Sequence, residues 1–558
     1  MASAPEPWRA SAIAYSNDFN GLQSTLSGLD SFGKSCAPTR QRTPPWHWAL
    51  ALLAGLAQAA SLALPGSGAP QWWLQLAALA ALAWLVRPGS ASHARMGWRR
   101  GAALGWVFAT AWLAGTFWWL FISMHTYGGL AAPLAAAAVL GLAAFLALYY
   151  AAALGLFSAL ALTSRALAAI IFAALWLLAE LARGLWWTGF PWGASGYAHV
   201  DGPLAALARS VGVYGICAAA AALAMLLAQL RASDLHNPRA WALLVAVVAA
   251  LGALSWQRER AIATPNAPAS APLTLALLQG NIPQDEKFQP GSGVPLALQW
   301  YRQQLRSASA QLVVAPETAL PLLPQQLPPG YLQAIEAQYS APQSTQALLL
   351  GIPLGDLSLG YTNSVLGFQP GQSAPYRYDK QHLVPFGEFI PPFFRWFTEL
   401  MNIPLGDFSR GAVVQPPLVW RGERLAPNIC YEDLFGEELG ARFANPASAP
   451  TVLVNLSNIG WFGNSLAIDQ HLHISRMRTL EFERPMLRAT NTGASAIIDH
   501  RGRVTHRFPS HQRGVLAGEV QGRSGAVTPY AWWVSRLGLW PLWLLGLGAV
   551  LAAALRKP

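Results

Sequence analysis

"APNICYED" (residues 426–433) places Cys430 at the end of a strand-like run and directly before an acidic pair. Short apolar runs that end in polar or glycine residues are typical of buried strands in a sheet. Four further runs share this pattern: LTLALLQGNI (273–282), AQLVVAPE (310–317), ALLLGIPLG (347–355) and PTVLVNLSN (450–458). A helical pattern follows at 465–485, so residues 271–525 are predicted to form an α/β domain.

Long apolar segments flank this domain. The chain of 558 residues is 53% hydrophobic and only 11% charged, and it contains 25 tryptophans. A helix of about 20 apolar residues is long enough to cross a bilayer. Eight segments come close to this length: 47–64, 71–86, 102–123, 131–162, 166–185, 204–230, 240–257 and 533–555. The sequence therefore predicts a polytopic α-helical membrane domain of about eight spans, joined to the α/β domain.

Basic residues near the apolar segments predict the orientation of the chain, because cytoplasmic loops carry an excess of Lys and Arg. They cluster before the first segment, after the second, fourth and sixth, and at the C-terminus: Arg9, Lys34, Arg40, Arg42, Arg87, Arg95, Arg99, Arg100, Arg165, Arg231, Arg239, Arg556 and Lys557. Both termini are expected in the cytoplasm and residues 258–532 on the far side, which is the periplasm in a bacterium. The net charge of +11 belongs to these membrane parts, which argues against a nucleic-acid partner.

Four regions follow from these patterns. Residues 1–45 are polar and rich in Ser, Pro and Thr, without the apolar core of a signal peptide, and are predicted to be a disordered cytoplasmic tail. Residues 46–260 are the predicted membrane domain of seven transmembrane helices. Residues 261–530 are the predicted periplasmic domain, and residues 531–558 are the predicted eighth span with a short cytoplasmic end.

Cys430 is the first residue of the α/β domain that could carry chemistry. It is one of three cysteines, with Cys36 and Cys217, and this odd number of widely spaced residues predicts free thiols. A thiol becomes a nucleophile beside a base or a cation, whereas most free cysteines are inert core residues. Both interpretations of Cys430 stay open at this point.

Glu317 and Lys380 are candidate partners for such a thiol. Glu317 follows an apolar run, and a partly desolvated carboxylate is a good proton acceptor near neutrality, although a helix cap or a surface position is equally compatible. Lys380 could stabilise an oxyanion or be an ordinary loop lysine, and Lys287 is the only other lysine of the domain. Glu388 follows Lys380 in the same stretch.

The sequence has no competing metal or cofactor motif. His471 and His473 are two residues apart, which suits neither a helical nor a zinc-finger site, and the QHLH segment is interpreted as a solvated helix face. No Walker or dinucleotide-binding glycine pattern is present, so neither a metal nor a cofactor is expected. Glu180 and Arg183, near the end of the fifth apolar segment, are candidates for a functional site because charged residues are rare at membrane depth, but they are interpreted as a local i,i+3 pair at the membrane interface.

Glu, Lys and Cys in this order and in these contexts resemble the nitrilase superfamily. With apolar segments on both sides, the chain resembles the apolipoprotein N-acyltransferase family over nearly all of residues 45–558. The stretches that carry the resemblance are QGNIPQDEKF (279–288), APETALP (315–321), YDKQHLVPFGEFIP (378–391), ICYEDLFGEE (429–438), SNIGWFGNS (457–465) and TGFPWGASGYAHVDGPLA (188–205). The resemblance implies a nitrilase-like four-layer α-β-β-α sandwich.

The resemblance also implies a function. Cys430 would take an acyl chain from a phospholipid as a thioester, with Glu317 as the base and Lys380 at the oxyanion. The N-terminal amine of a diacylglyceryl-cysteine on an apolipoprotein would then accept the chain, at the bacterial inner membrane and without a cofactor. Supporting or substrate-binding roles are implied for Glu388, Tyr431, Glu432, Phe288 and Trp461. A monomer is expected, because eight spans would hinder the assembly that soluble nitrilases adopt.

Two other functions stay open. A membrane-tethered nitrilase-type amidase would use the same three residues and release the acyl group to water, whereas a transporter would need none of them. The segments WWLFISMHTYGG (118–129) and 188–205 favour the acyltransferase, since a simple tether does not need polar, aromatic-rich loops. The chain departs from the family pattern at Phe288, where tryptophan is usual, and at Ile459 and Gly460, where Asp and Ala are usual.

Overall fold

The computed structural model describes residues 44–88, 96–160, 162, 164–263, 271–356, 358, 360–391 and 408–555. The predicted cytoplasmic tail, with Cys36, therefore lies outside the described residues, apart from its last two positions. Helices rich in Ala and Leu, which favour this conformation, occupy the predicted apolar segments. Their bounds are Pro45–Leu62, Trp72–Val86, Trp98–Thr116, Ala132–Ala159, Arg165–Leu185, Ala208–Ala228, Pro238–Ala263 and Trp540–Leu555.

Several of these helices are suited to span a bilayer. Among the described residues, three are long and apolar enough by themselves: Ala132–Ala159, Arg165–Thr188 and Pro203–Ala228. Two bent pairs raise the number to five if each pair is one span: Trp98–Thr116 with Leu120–Tyr127, bent by 62°, and Pro529–Leu537 with Trp540–Leu555, bent by 87°. The prediction of a helical membrane domain is confirmed, whereas the count of eight spans stays a prediction.

Two sheets form the α/β domain. Their strands are β1 (Leu273–Gln279), β2 (Leu312–Ala315), β3 (Ala347–Asp356), β4 (Gly360–Phe368), β5 (Tyr376–Asp379), β6 (Leu418–Trp420), β7 (Glu423–Ile429), β8 (Val452–Ser457), β9 (Met486–Thr490), β10 (Ala496–Ile498), β11 (Val504–Arg507) and β12 (Gly514–Val520). The first sheet has the order β12-β1-β2-β3-β4-β5, and the second has the order β11-β10-β9-β8-β7-β6. The central strands β1 to β3 and β7 to β9 run parallel and are largely buried, which explains the mainly apolar sequences of β1, β2, β3 and β8.

The two sheets pack face to face between layers of helices. Along β2, Leu312 and Val314 face the second sheet, whereas Val313 and Ala315 face the helices Gly293–Ser307 and Tyr331–Tyr339. Side chains alternate in this way because successive residues of a strand point to opposite faces. Helices Gly436–Ala441 and Ala467–Phe482 cover the outer face of the second sheet. This is the predicted α-β-β-α sandwich.

The sandwich lies directly against the membrane helices. Helix Ala467–Phe482 contacts helix Ala208–Ala228, where Glu481 Oε1 accepts a hydrogen bond from the Val213 N–H at 2.8 Å. Helix Ala208–Ala228 is kinked at Gly212, whose φ is 66°, and a Cβ there would come within 2.4 Å of the Tyr530 ring. Glycine is therefore required for this close approach. As a result, the apolar cores of the two parts form one continuous cluster.

A buried ion pair anchors the segment 188–199. Arg183 Nη2 lies 2.7 Å from Glu180 Oε2, and both side chains are fully buried. Arg183 also donates to the carbonyl oxygens of Phe190 and Trp192, at 2.6 and 2.8 Å, and Glu180 accepts a hydrogen bond from the Ser195 N–H at 3.1 Å. The sequence predicts the i,i+3 pair but gives no sign of its burial or of its hold on this segment.

Candidate active site

Strand directions bring the ends of β2, β5, β7 and β8 together. β3 is parallel to β2, and β4 and β5 each reverse direction, so Glu317 after β2 and Lys380 after β5 lie at the same edge of the first sheet. Ser457, the last residue of β8, and Asn458, which follows it, connect this edge to the second sheet. The Asn458 N–H donates to Glu317 Oε2 at 2.8 Å, and the Ser457 hydroxyl lies 3.3 Å from Cys430 Sγ. The structure therefore gathers the three candidate residues into one site.

Lys380 holds two carboxylates. Its Nζ lies 3.2 Å from Glu317 Oε1 and 2.9 Å from the Glu388 carboxylate, and the lysine side chain is 1% exposed. Burial by itself would lower the pKa of Lys380, but Glu317 and Glu388 outweigh it and raise the pKa above its ordinary value. Asn363 Nδ2 donates to both carboxylates at 2.7 Å. Lys380 is thus a fixed cation at this edge of the sheet.

Cys430 lies on a strained turn directly after β7. Its φ is 52°, a left-handed conformation that L-residues other than glycine rarely adopt and that is common at functional sites. Burial and the negative charge of Glu317 raise the pKa of the thiol to about 12, against the opposing effects of Lys380 and Ser457. The thiol is therefore protonated at neutral pH and needs a base before it can attack.

His471 stabilises the backbone of this turn. Its Nδ1 accepts a hydrogen bond from Arg488 Nη2 at 2.8 Å, so Nε2 carries the proton and donates to the Cys430 carbonyl oxygen at 3.2 Å. Asn455 Nδ2 donates to the same oxygen at 3.3 Å. Burial and Arg488 lower the pKa of His471 well below its ordinary value, so the ring is neutral. Two side chains thus hold the backbone of the candidate nucleophile.

The interpretation of QHLH as a solvated helix face is wrong. Gln470 Oε1 accepts hydrogen bonds from the indole N–H groups of Trp119 and Trp192, at 3.1 and 2.8 Å. His473 Nε2 lies 2.8 Å from the Gly68 carbonyl oxygen and donates to it. Both residues are buried because segments of the membrane domain cover this helix. The helix has no clear apolar stripe, so its sequence did not indicate that it also packs against the membrane domain.

Glu432 joins the Cys430 turn to the segment that follows Lys380. Its carboxylate accepts hydrogen bonds from the Ile429 N–H at 2.6 Å, the Gln381 N–H at 2.7 Å and the Tyr378 hydroxyl at 2.8 Å. Burial raises the pKa of Glu432, and Arg442 and the Ile429 and Gln381 N–H groups oppose that effect only in part. The side chain therefore fixes the geometry between the two segments.

Tyr431 and His382 connect the same two segments to the membrane domain. The Tyr431 hydroxyl donates to the Gly189 carbonyl oxygen at 3.0 Å, and His382 Nε2 donates to the Thr188 carbonyl oxygen at 2.9 Å. The accepting turn is strained, with left-handed φ values of 57° at Trp187 and 74° at Thr188. Trp187 itself is 80% exposed. The candidate site is thus hydrogen-bonded to a turn whose Trp187 side chain is exposed.

Phe288 and Trp461 are half-buried beside this centre. The Trp461 ring packs edge-on against Tyr127 at 5.9 Å between centroids, in the aromatic segment 118–129. The Phe288 ring centroid lies 5.9 Å from Lys287 Nζ. Phe288 therefore supplies an aromatic surface next to Lys287.

Two site residues had no usable signal in the sequence. Asn363 lies on β4 between the polar residues Thr362 and Ser364, and Asn458 acts through its backbone N–H. Lys287 stands out as one of two lysines in the domain, but its position beside Glu317 depends on how two distant loops meet. Among the described residues, no group of His, Cys, Asp and Glu is arranged to hold a metal ion.

Comparisons with known proteins match both parts of the chain. Residues 54–226 match the family model of the apolipoprotein N-acyltransferase N-terminal domain, and residues 274–529 match that of carbon-nitrogen hydrolase. A carbon-nitrogen hydrolase structure from Helicobacter pylori G27 is 16% identical, with a TM-score of 0.32, over 45% of this chain and 89% of that one.

Two curated relatives are similar over most of their length. The apolipoprotein N-acyltransferase of Verminephrobacter eiseniae is 67% identical over 505 residues, which is 88% of this chain and 94% of that protein. The enzyme of the same name from Ralstonia nicotianae is 47% identical over 489 residues, which is 87% of this chain and 90% of that protein. At these identities and coverages, the chain belongs to the apolipoprotein N-acyltransferase family.

Proposed function

We propose that the protein transfers an acyl chain from a membrane phospholipid to the N-terminal amine of the diacylglyceryl-cysteine of apolipoproteins, through a thioester on Cys430. The observation that carries this proposal is the meeting of Glu317 and Lys380, at the edge of the first sheet, with Cys430, at the edge of the second sheet, beside the aromatic membrane segments. Membership of the family favours this reaction over hydrolysis of a small amide and over transport.

In the first half-reaction, Glu317 takes the proton of the Cys430 thiol, and the sulfur attacks the carbonyl carbon of the phospholipid ester. The carbonyl oxygen becomes an oxyanion, which the Lys380 ammonium stabilises as its charge develops. Collapse of this intermediate breaks the ester C–O bond. The departing lysophospholipid oxygen takes the proton back from Glu317, and the acyl chain stays on sulfur as a thioester.

In the second half-reaction, the amine of the lipoprotein attacks the thioester carbon. Glu317 accepts the proton of the amine, the oxyanion again faces Lys380, and the C–S bond breaks. The sulfur recovers its proton from Glu317, and the acyl chain ends in an amide. An ester and a thioester are similar in energy whereas an amide is more stable, so the second step drives the sequence without a cofactor.

The supporting residues fit this scheme as positioning groups and as an apolar boundary. Glu388 holds Lys380, and Glu432 and Tyr431 hold the two loops of the site. Phe288 and Trp461 would contact the lipid chains. Trp186 and Trp187, 55% and 80% exposed, would lie at the membrane surface, where aromatic residues are enriched.

The orientation predicted from the basic residues belongs to the same proposal. The α/β domain, residues 261–530, would lie in the periplasm as part of a monomer, with both termini in the cytoplasm. Residues 46–260 and 531–558 would then form the membrane domain, and the site would open towards the bilayer that holds both substrates.

The test uses the purified protein with a phospholipid that carries a labelled acyl chain and a synthetic diacylglyceryl-cysteine lipopeptide. We expect the label to appear in the lipopeptide as an amide, and the Cys430→Ala variant to transfer none. Mass spectrometry distinguishes this product from free fatty acid. Release of the label only as free acid would overturn the acyltransferase in favour of a hydrolase, and transfer by Cys430→Ala would exclude the thioester route.

A further inference from the structure

Lys287 is a buried cation that the mechanism above does not use. Its side chain is 1% exposed, and its Nζ donates to the Glu317 carbonyl oxygen at 3.2 Å and to the Thr318 hydroxyl at 2.9 Å. Both partners are neutral oxygens. Among the ion pairs of the described residues, the carboxylates of Glu317 and Glu388 pair with Lys380, and none pairs with Lys287.

The two hydrogen bonds of Lys287 hold a strained turn. Thr318 has a φ of 46°, which is costly for a β-branched residue. The turn also packs tightly against β3, since a Cβ on Gly351 would come within 2.2 Å of the Pro316 carbonyl oxygen. Because Lys287 contacts both residues of the turn, it fixes the direction in which the Glu317 carboxylate leaves the backbone.

A neutral donor could make the same two hydrogen bonds at a smaller cost. Burial of an ammonium without a paired carboxylate is expensive. Burial lowers the pKa of Lys287 to about 8, while the negative charge of Glu317, and that of the Cys430 sulfur once it is deprotonated, act in the opposite direction. Because Lys287 donates directly to the backbone of Glu317, its charge acts on the base and, through the base, on the sulfur that the base deprotonates.

The charges of the site explain the use of a second cation. Lys380 offsets one of the two carboxylates that it contacts, so Glu317, Glu388 and Lys380 together carry a formal charge of about −1 by side-chain type. Burial is the main cause of the raised pKa of Cys430, and the negative charge of Glu317 adds to it, so negative charge at this position further opposes formation of a thiolate. Lys287 supplies the positive charge that restores neutrality. It contacts the backbone carbonyl oxygen of Glu317, whereas Lys380 contacts the carboxylate of the same residue.

We propose that Lys287 is a positioning residue for acyl transfer, whose ammonium fixes the Glu317–Thr318 turn and supplies a second positive charge that favours the attacking sulfur. This inference rests on the proposed function and adds a residue to it. If Lys287 only holds the turn, any hydrogen-bond donor at this position should keep the rate and the pH profile. If its charge also matters, a neutral donor should not keep them.

The test compares four variants of the full-length membrane protein: Lys287→Met, Lys287→Gln, Lys287→Arg and Thr318→Val. The rate of acyl-adduct formation on Cys430 is measured at saturating phospholipid from pH 6 to pH 9, which is roughly the range in which a side chain with a pKa near 8 titrates. Thermal unfolding measures the folded fraction of each variant. The charged groups that face Cys430 or Lys287 are Glu317, Lys380 and Arg488. They are unchanged in all four variants.

We expect Lys287→Met to lower the rate at neutral pH by roughly 10²-fold, the size of effect that a small misplacement of a reacting group has. The acidic limb of its pH profile should move to higher pH, because Glu317 and the sulfur lose a stabilising cation. Lys287→Gln should show the same shift. Lys287→Arg should keep the acidic limb of the unaltered protein but should lack any fall in rate that comes from the loss of the Lys287 charge near pH 8. Thr318→Val should keep the whole profile even if its rate falls.

Two outcomes would overturn the inference. One is a folded Lys287→Met or Lys287→Gln variant with the rate and profile of the unaltered protein. The other is a pH profile that stays in place in every variant while all four rates fall alike, which would leave a structural role only. If Lys287→Met does not fold, the Gln and Arg variants decide between these outcomes. Failure of the unaltered protein to form an adduct would instead contradict the proposed function.

Discussion

Replacement of Glu317 with glutamine should lower the rate of acyl-adduct formation on Cys430 by about 10³-fold, within the range that general base catalysis contributes. Glutamine has nearly the same shape but cannot take the thiol proton. The thiol of Cys430, with its pKa raised to about 12, has little thiolate of its own at neutral pH. The variant should still insert into the membrane and fold.

Glutamine also disturbs the hydrogen bonds of this position. Glu317 accepts from Asn363 and Lys380 on one oxygen and from the Asn458 N–H on the other, so the new NH₂ group faces a donor in either orientation. One mismatched buried donor costs about 1–3 kcal/mol. Thermal unfolding measures that loss separately from the single-turnover rate of the folded fraction.

Glu519→Gln is a matched control for this substitution. It makes the same chemical change at an exposed position on the edge strand β12, and it should leave both the rate and the unfolding temperature unchanged. A Glu317→Gln variant that acylates Cys430 as fast as Glu519→Gln would exclude Glu317 as the base.

Replacement of Lys380 with methionine should lower the rate of adduct formation by about 10²–10³-fold, the cost of removing one oxyanion donor. It should also destabilise the protein by about 3–5 kcal/mol, because breaking a buried ion pair leaves its partners uncompensated. Here the partners are Glu317 and Glu388, which would then share Asn363 as a donor without a cation between them.

A double variant separates the two effects of Lys380. Lys380→Met with Glu388→Gln removes one of the uncompensated carboxylates, so part of the stability should return, while the rate should stay low because the oxyanion still lacks its cation. Arg377→Met is the control, since it removes a half-exposed cation that pairs with Asp379 on β5. Recovery of the rate in the double variant would show that Lys380 acts only by neutralising Glu388.

Strand patterns predict the framework of the site well. The runs that end at Glu317 and Asn458 are mainly apolar because β2 and β8 are buried, and this pattern is visible in a single sequence. β7, which ends directly before Cys430, has polar residues among its apolar ones. A polar residue after such a run marks the edge of a sheet where chemistry is common. Glu317 and Cys430 were therefore identifiable as candidates from their local context.

Contacts between distant loops could not be predicted in the same way. His471 is polar and lies on a helix with weak amphipathic character, so nothing in its neighbours indicates that membrane segments cover it. Lys287 and Asn363 owe their roles to the meeting of loops far apart in the chain. The partners of a buried polar group depend on tertiary packing, which the periodicity of one segment does not contain.

The acyl chain on Cys430 is the centre of this account, and one measurement tests it directly. The purified protein is incubated with a phospholipid that carries a labelled sn-1 chain, without an acceptor, and the peptide that contains Cys430 is analysed by mass spectrometry. We predict the added mass of one labelled acyl chain on Cys430, released by hydroxylamine at neutral pH. No adduct, or an adduct that persists in the Cys430→Ala variant, would contradict the mechanism.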